Sequence, residues 1–146
     1  MNTKNFIIDD DIYIVFEGNH FDLHNDYDFT GYEYSVDACR LSLSWKIGTG
    51  DWVRDGQPPS LRLDFEGVSY FEVKPRNPEL PHTEDSCLDG FYFISNEDWC
   101  DGSFSGPDSG SLKELPPNCK HYIQFMSEAD MILLAEVCTL HFDKST

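Results

Sequence analysis

The segment Cys39-Arg40-Leu41-Ser42-Leu43-Ser44-Trp45 alternates apolar and polar side chains without a break. Such a period-two pattern puts one face of a strand on a core and the other in water, which a helix cannot do. The pattern returns at Leu61, Leu63 and Phe65, set between Arg62 and Asp64, and resumes after Glu66-Gly67 as Val68–Val73. Gly67 either closes a tight hairpin or marks a bulge in one long strand. The firmer stop at Lys74-Pro75 favours the bulge. Ile12–Glu17 carries apolar residues on both faces, as a doubly buried strand does, and Phe91–Ile94 is a short apolar run of strand length. His121–Phe125 and Met131–Phe142 flank the polar link Ser127-Glu128-Ala129-Asp130 like the arms of an antiparallel hairpin. A helix is the rival for Met131–Leu140, because Glu128-Ala129-Asp130 suits a first turn. Val137, Thr139 and Phe142 favour the strand.

Together these runs predict a mainly β fold: an antiparallel β-sandwich or partly open barrel of six to eight strands, with little helix. The 146 residues fit one domain over 1–146, and eleven Phe with seven Tyr suit packing on a pleated sheet. Residues 101–118, rich in Ser, Gly and Pro, read as a flexible surface loop. Cys39 and Cys138 lie in strand-like segments and read as small core residues. Cys87, Cys100 and Cys119 border loops, where a disulfide would require an oxidising compartment. The first eleven residues lack the basic start and apolar run of a signal peptide, and no stretch nears the roughly 18 apolar residues of a membrane helix. A cytoplasmic location is the expectation.

Charge narrows the partners. Asp and Glu number 27 against 10 Lys and Arg, a net of -17. Residues 1–37 hold nine acids and one base, residues 81–118 eight acids and one base, and residues 38–80 six of each. A surface this negative repels nucleic acid and anionic membranes and draws basic proteins from a distance. The acid-rich quarters also look rich in loops.

Several segments carry chemistry-bearing side chains. His20, Asp22 and His24, with Asp26, share one face if the segment is extended, and offer nitrogen and oxygen to a divalent metal. A metal-dependent hydrolase built on them is the alternative to a solvated polar edge. Asp9-Asp10-Asp11 lacks the spaced oxygens and turn glycine of a calcium loop. Glu72 and Glu136 fall at outward strand positions. Gly102-Ser103-Phe104-Ser105-Gly106 is not a nucleophile elbow. Gly48-Thr49-Gly50 has neither the lysine nor the helix of a phosphate loop. Trp45, Trp52, Tyr32 and Tyr34 either line a carbohydrate or small-ligand surface or belong to the core and its rim. No cofactor is expected.

The run Leu61-Arg62-Leu63-Asp64-Phe65-Glu66-Gly67-Val68-Ser69-Tyr70-Phe71-Glu72-Val73 resembles a central segment of small uncharacterised bacterial proteins. The closing hairpin from His121 to Phe142 resembles theirs as well. Some of those proteins are similar to immunity proteins of polymorphic toxin systems. The resemblance implies a cytoplasmic, non-enzymatic β protein that binds one toxin, and it carries no site residues with it. On charge alone, an acidic inhibitor would cap a basic cleft. The candidate docking groups are Asp9, Asp10, Asp11, Glu17, Asp22, Asp26 and Asp28, or Glu84, Asp85 and Asp89.

Overall fold

The computed structural model describes residues 2–94 and 120–143. Among them the chain forms twelve strands: β1 (Asn2–Thr3), β2 (Ile7–Asp9), β3 (Tyr13–Phe16), β4 (Asn19–Asp22), β5 (Tyr27–Ser35), β6 (Arg40–Ile47), β7 (Ser60–Glu66), β8 (Tyr70–Lys74), β9 (Leu88–Ile94), β10 (Lys120–Phe125), β11 (Asp130–Leu134) and β12 (Val137–Phe142). One 3-10 turn spans His82–Ser86. Three sheets result, ordered β1-β12-β7-β6-β5, β8-β11-β10-β9 and β2-β3-β4, and none closes on itself. All pairings are antiparallel except β1 with β12. The mainly β, sandwich-like fold is as the alternation predicts. The strand count is higher, because short strands in the acid-rich first quarter show no clean alternation. That quarter is not loop-rich: it holds β1 to β5, joined by tight turns.

Gly67 closes no hairpin and is not a bulge within one sheet. β7 pairs with β6 and β12, whereas β8 pairs with β11. Gly67 has φ +65, a conformation that glycine adopts at no steric cost, and there the chain leaves one sheet for the other. Its partner bends at the same level. Residues 131–142 are two strands, not one and not a helix, with a break at Ala135-Glu136. The ladder survives the bend: Ser69 N donates to Leu134 O at 2.9 Å and Glu136 N to Glu66 O at 2.9 Å. Strands that switch sheets through a shared bend are how stacked sheets form corners. Glu136 is exposed at this corner rather than within a strand, while Glu72 on β8 accepts the Tyr70 hydroxyl at 2.6 Å.

The inner faces meet as the alternation demands. Leu41, Leu43 and Trp45 of β6, Leu61, Leu63 and Phe65 of β7, and Cys138 and Leu140 of β12 are buried against Phe91, Ile123, Phe125, Met131 and Leu133 of the second sheet. Aromatic rings bridge the layers: Phe29 lies 5.1 Å from Trp45 and 4.6 Å from Phe125, and Trp45 lies 6.1 Å from Phe91. The small sheet adds Ile8, Ile14 and Phe21 to the same core. Of β3 only Ile14 is fully buried, so this strand is covered on one face rather than two. Truncating any of these buried leucines to alanine costs about 2–5 kcal/mol. Cys138 is a core residue as expected. Cys39 is exposed: at φ +48 it ends the turn before β6, which rotates its side chain off the core face. Cys87 is a free thiol, and Cys100, Cys119 and the 101–118 loop lie outside the described residues.

The first sheet's outer face is a polar ladder. Buried Asp64 accepts Ser42 Oγ at 2.6 Å and Arg62 Nε at 3.0 Å, with His141 Nε2 at 3.3 Å, and Arg40 pairs with Glu66 at 2.6 Å. Among the described residues no helix is long and apolar enough to cross a membrane.

His121 sits in the core on β10, and its Nε2 finds no partner among the described residues. Burial drives its pKa down from 6.5 to about 3, so the folded state keeps it neutral while the unfolded chain protonates it. Its contribution to stability is complete above pH 6.5 and is lost as pH falls toward 3, with a slope of up to about 1.4 kcal/mol per pH unit. Urea unfolding at a series of pH values is expected to show a shallower acid-side loss for His121→Leu than for the natural protein. Equal slopes would remove His121 from the acid response.

Candidate functional site

The turn between β4 and β5 is built by its own acids. Asp22 is buried, and its Oδ1 accepts the backbone N–H of His24 at 3.0 Å and of Asn25 at 2.9 Å, the usual way a short acidic side chain shapes a turn. Asp26, only 3% exposed, accepts Arg54 Nε and Gln57 Nε2, each at 2.8 Å. These two carboxylates are engaged within the fold and present little oxygen to a partner. The same bonds anchor the loop 48–59 against the turn, helped by Gly48 N on Asp26 O at 2.8 Å.

That loop carries Trp52. Its indole Nε1 donates to Asn25 O at 2.9 Å, and its ring lies over Gly50, where an added Cβ would come within 2.3 Å of the indole. Only glycine leaves room for the ring there. Trp52 is nonetheless 72% exposed, so a large aromatic face is held in place and left bare. Trp45, by contrast, is core. Tyr32 and Tyr34 sit half-exposed on edge strand β5, 5.6 and 5.1 Å from Phe71 of edge strand β8, far along the sheet from Trp52. The four aromatics do not form one surface.

The remaining acids divide. Asp9 lies 3.5 Å from His20. Asp10 and Asp11 occupy the β2–β3 turn at φ 47 and 61, and Asp11 O accepts Phe91 N at 2.8 Å, pinning that turn to β9. Glu17 and Gly18, at φ 49 and 80, form the two-residue β3–β4 hairpin turn, which sets Glu17 apart at its tip. Asp85 pairs with Arg76 at 2.8 Å, and that bond holds its carboxyl below the ordinary range. Asp28 of β5, Glu84 of the 3-10 turn and Asp89 of β9 all lie near enough for their charges to act on Cys87. Burial pushes the Cys87 thiol up, and the negative charges of Glu84, Asp89, Asp28 and Asp22 push it further. Tyr92 is raised in the same way, by burial and then by Asp89 and Asp11. Acid from the first and third quarters of the sequence therefore acts on one region, beside the turn that seats Trp52.

His24 and Cys87 meet there, with Nδ1 3.8 Å from Sγ. They do not form a nucleophilic pair. His24 Nδ1 is hydrogen-bonded to Leu88 O, which occupies the nitrogen that would take the thiol proton. The acidic surroundings also oppose the thiolate, whereas reactive cysteines sit in electropositive ones. His20, Asp22 and His24 do not converge. His20 faces Asp9, Asp22 caps its own turn, and His24 faces Leu88. No group of three or more His, Cys, Asp or Glu among the described residues is placed to hold a metal ion.

No family model, no curated protein and no solved structure matches the chain. Arg54 and Gln57, which seat the turn, gave no signal in the sequence, since their partner Asp26 lies about thirty residues away.

Replacing Arg54 with alanine leaves the buried Asp26 carboxylate with Gln57 alone. A loss of about 1–3 kcal/mol in unfolding free energy is expected, with faster amide exchange at Gly48 and a shift in Trp52 fluorescence. If stability and exchange stay unchanged, the Asp26–Arg54 bond does not hold the loop.

Proposed function

We propose that this protein is a non-enzymatic binding protein whose acidic face receives a basic protein partner, in the manner of an immunity-type inhibitor of a basic toxin domain. The observation that carries the proposal is the exposed, immobilised Trp52 beside the converging charges of Asp28, Glu84 and Asp89. Charge steers a partner in and raises its on-rate, while affinity rests on a few rigid anchors, of which tryptophan is among the most frequent. A ring already fixed by a hydrogen bond loses little freedom on binding.

The arginines support the same view. All four are paired with carboxylates: Arg40 with Glu66, Arg54 with Asp26, Arg62 with Asp64 and Arg76 with Asp85. The cations best suited to gripping phosphate are thus tied up, and the unneutralised charge is negative. A metal-dependent hydrolase finds no support in the dispersed His20, Asp22 and His24. A carbohydrate surface finds none in aromatics that lie apart. The non-enzymatic character and the immunity-type role are the parts of the proposal that rest on charge and resemblance.

The test uses the product of the neighbouring reading frame as partner and measures association from low to high salt. Affinity is expected to fall steeply with salt. Trp52→Ala should weaken binding by about thirtyfold or more, the loss typical of a hot spot. Glu84→Gln combined with Asp89→Asn should mainly slow association and flatten the salt dependence. Binding indifferent to salt would sink the electrostatic half of the proposal, and a silent Trp52→Ala would sink the anchor.

A further inference from the structure

The wall that carries Trp52 has a second side. Arg54, Asp55, Gly56, Gln57, Pro58 and Pro59 border an open cleft of about 790 Å³, closed opposite by the β3–β4 hairpin and the end of β12. This volume is in the range of sites that take a ligand rather than a few waters. Its floor is aromatic. Phe142 lies 5.2 Å from Phe16, edge to face, and 5.2 Å from Phe21, and Phe16 and Phe142 are only partly buried.

The charged groups that line the cleft are His20, Arg54, Asp55 and Asp143. Arg54 is engaged: its Nε donates to Asp26 and its Nη2 to His20 O, each at 2.8 Å. Its charge is therefore largely answered before any ligand arrives. The carboxylates are not. Asp55 makes no hydrogen bond or ion pair among the described residues. Among the described residues Asp143 accepts on Oδ2 from Ser60 Oγ at 2.6 Å, and its Oδ1 has no side-chain partner there. Aromatic rings and two carboxylates lining one cleft suit a group that is flat, cationic and rich in donors. A guanidinium has these properties: it stacks on rings, sheds water more readily than an ammonium, and grips carboxylates through paired N–H donors. Among the described residues, a phosphate or carboxylate ligand would face Asp55 and Asp143 with only Arg54, already bonded to Asp26 and His20, to offset them.

We propose that this cleft is an arginine pocket, in which a guanidinium side chain of the partner lies on Phe16 and Phe142 and donates to Asp55 and Asp143. The proposal rests on the acidic binding protein reading and names the residue type that its partner presents, on the face of the loop opposite Trp52.

The probe is N-acetyl-L-arginine amide, titrated into the isotope-labelled protein and followed by amide NMR, with the citrulline counterpart as a control of the same shape without charge. Saturable shifts are expected at Gly18, His20, Gly56 and Asp143, with upfield shifts of the ligand δ-methylene protons from the phenylalanine rings. The citrulline compound should not saturate over the same range. Asp55→Asn and Asp143→Asn, both at exposed positions, should each weaken arginine binding about tenfold or more, roughly the value of one charge-assisted hydrogen bond. Glu84→Gln with Asp89→Asn should leave it unchanged. That double variant separates the two readings: it impairs partner association if the acidic face acts, without touching the cleft. Absence of saturation, equal binding of citrulline, or shifts that map to Asp28 and Asp89 instead of the cleft would overturn the pocket.

Discussion

The ribbon formed by β7–β8 and β11–β12 is the constraint from which the rest follows. Both strands bend at one level, at Gly67 and at Ala135-Glu136, and their backbone hydrogen bonds continue through the bend. A buried strand that broke its ladder would leave polar backbone groups unpaired, each at a cost of about 1–3 kcal/mol. Bending as a pair avoids that cost and carries the chain from one sheet to the other. The five-stranded and four-stranded sheets are thus two parts of one ladder, and the corner fixes how their apolar faces oppose. Val68 N bonding to Cys39 O at 2.9 Å then ties the β5–β6 turn to the corner, and places Trp45 between Phe29 and Phe91.

Charge is distributed on a different logic. The neutral middle of the sequence, residues 38–80, forms the first sheet's centre and supplies the arginines. Each arginine answers one carboxylate, and two of those carboxylates, Asp26 and Asp64, are buried. A buried carboxylate without such a partner is strongly disfavoured. The arginines therefore serve the fold; buried Asp22 and Asp130 are held by neutral donors instead, and most of the remaining acid stays at the surface, where it repels itself. Part of that surplus acts on Cys87 and Tyr92, whose pKa values are raised by burial first and then by these negative charges. Stability alone would favour dispersal of these groups. Their gathering is the kind of local conflict that folds carry at functional surfaces.

What could be read from the sequence was the part governed by period. β6, β7, β10 and the start of β11 appear within a residue or two of where alternation places them; β9 starts earlier, at Leu88, and the expected second arm of the hairpin, 131–142, divides into β11 and β12. The missed features belong to other physics. Cys39 continues the alternation on paper, yet a left-handed backbone turns it outward. Gly67 was visible as an interruption, but whether strands on either side pair with each other or with different sheets depends on partners about seventy residues away. β2 and β4 are only three and four residues long, too short to display a period, and β5 breaks its alternation at the irregularity between Phe29 and Gly31. The acid clusters were plain as composition. Which acids are buried as turn-builders, like Asp22 and Asp26, and which stand open, like Asp55, is decided by Arg54 and Gln57 across the fold.

The loop from Gly48 to Pro59 links the two features to which a partner would bind. On one side it holds Trp52 against the β4–β5 turn through Asn25. On the other its residues Asp55 to Pro59 wall the phenylalanine cleft. Between them Arg54 and Gln57 grip the same oxygen of Asp26. The loop has almost no secondary structure of its own, so its position depends on bonds to its neighbours: those to the Asp26 carboxylate, Trp52 Nε1 to Asn25 O, Arg54 Nη2 to His20 O and the Tyr27 hydroxyl to Pro58 O. A short irregular segment normally samples many shapes and pays entropy to bind. Here one buried acid, neutralised from the loop itself, removes much of that freedom in advance. Trp52 and the cleft are thereby held by one loop, so that under the proposed function a partner that fits one would be oriented for the other.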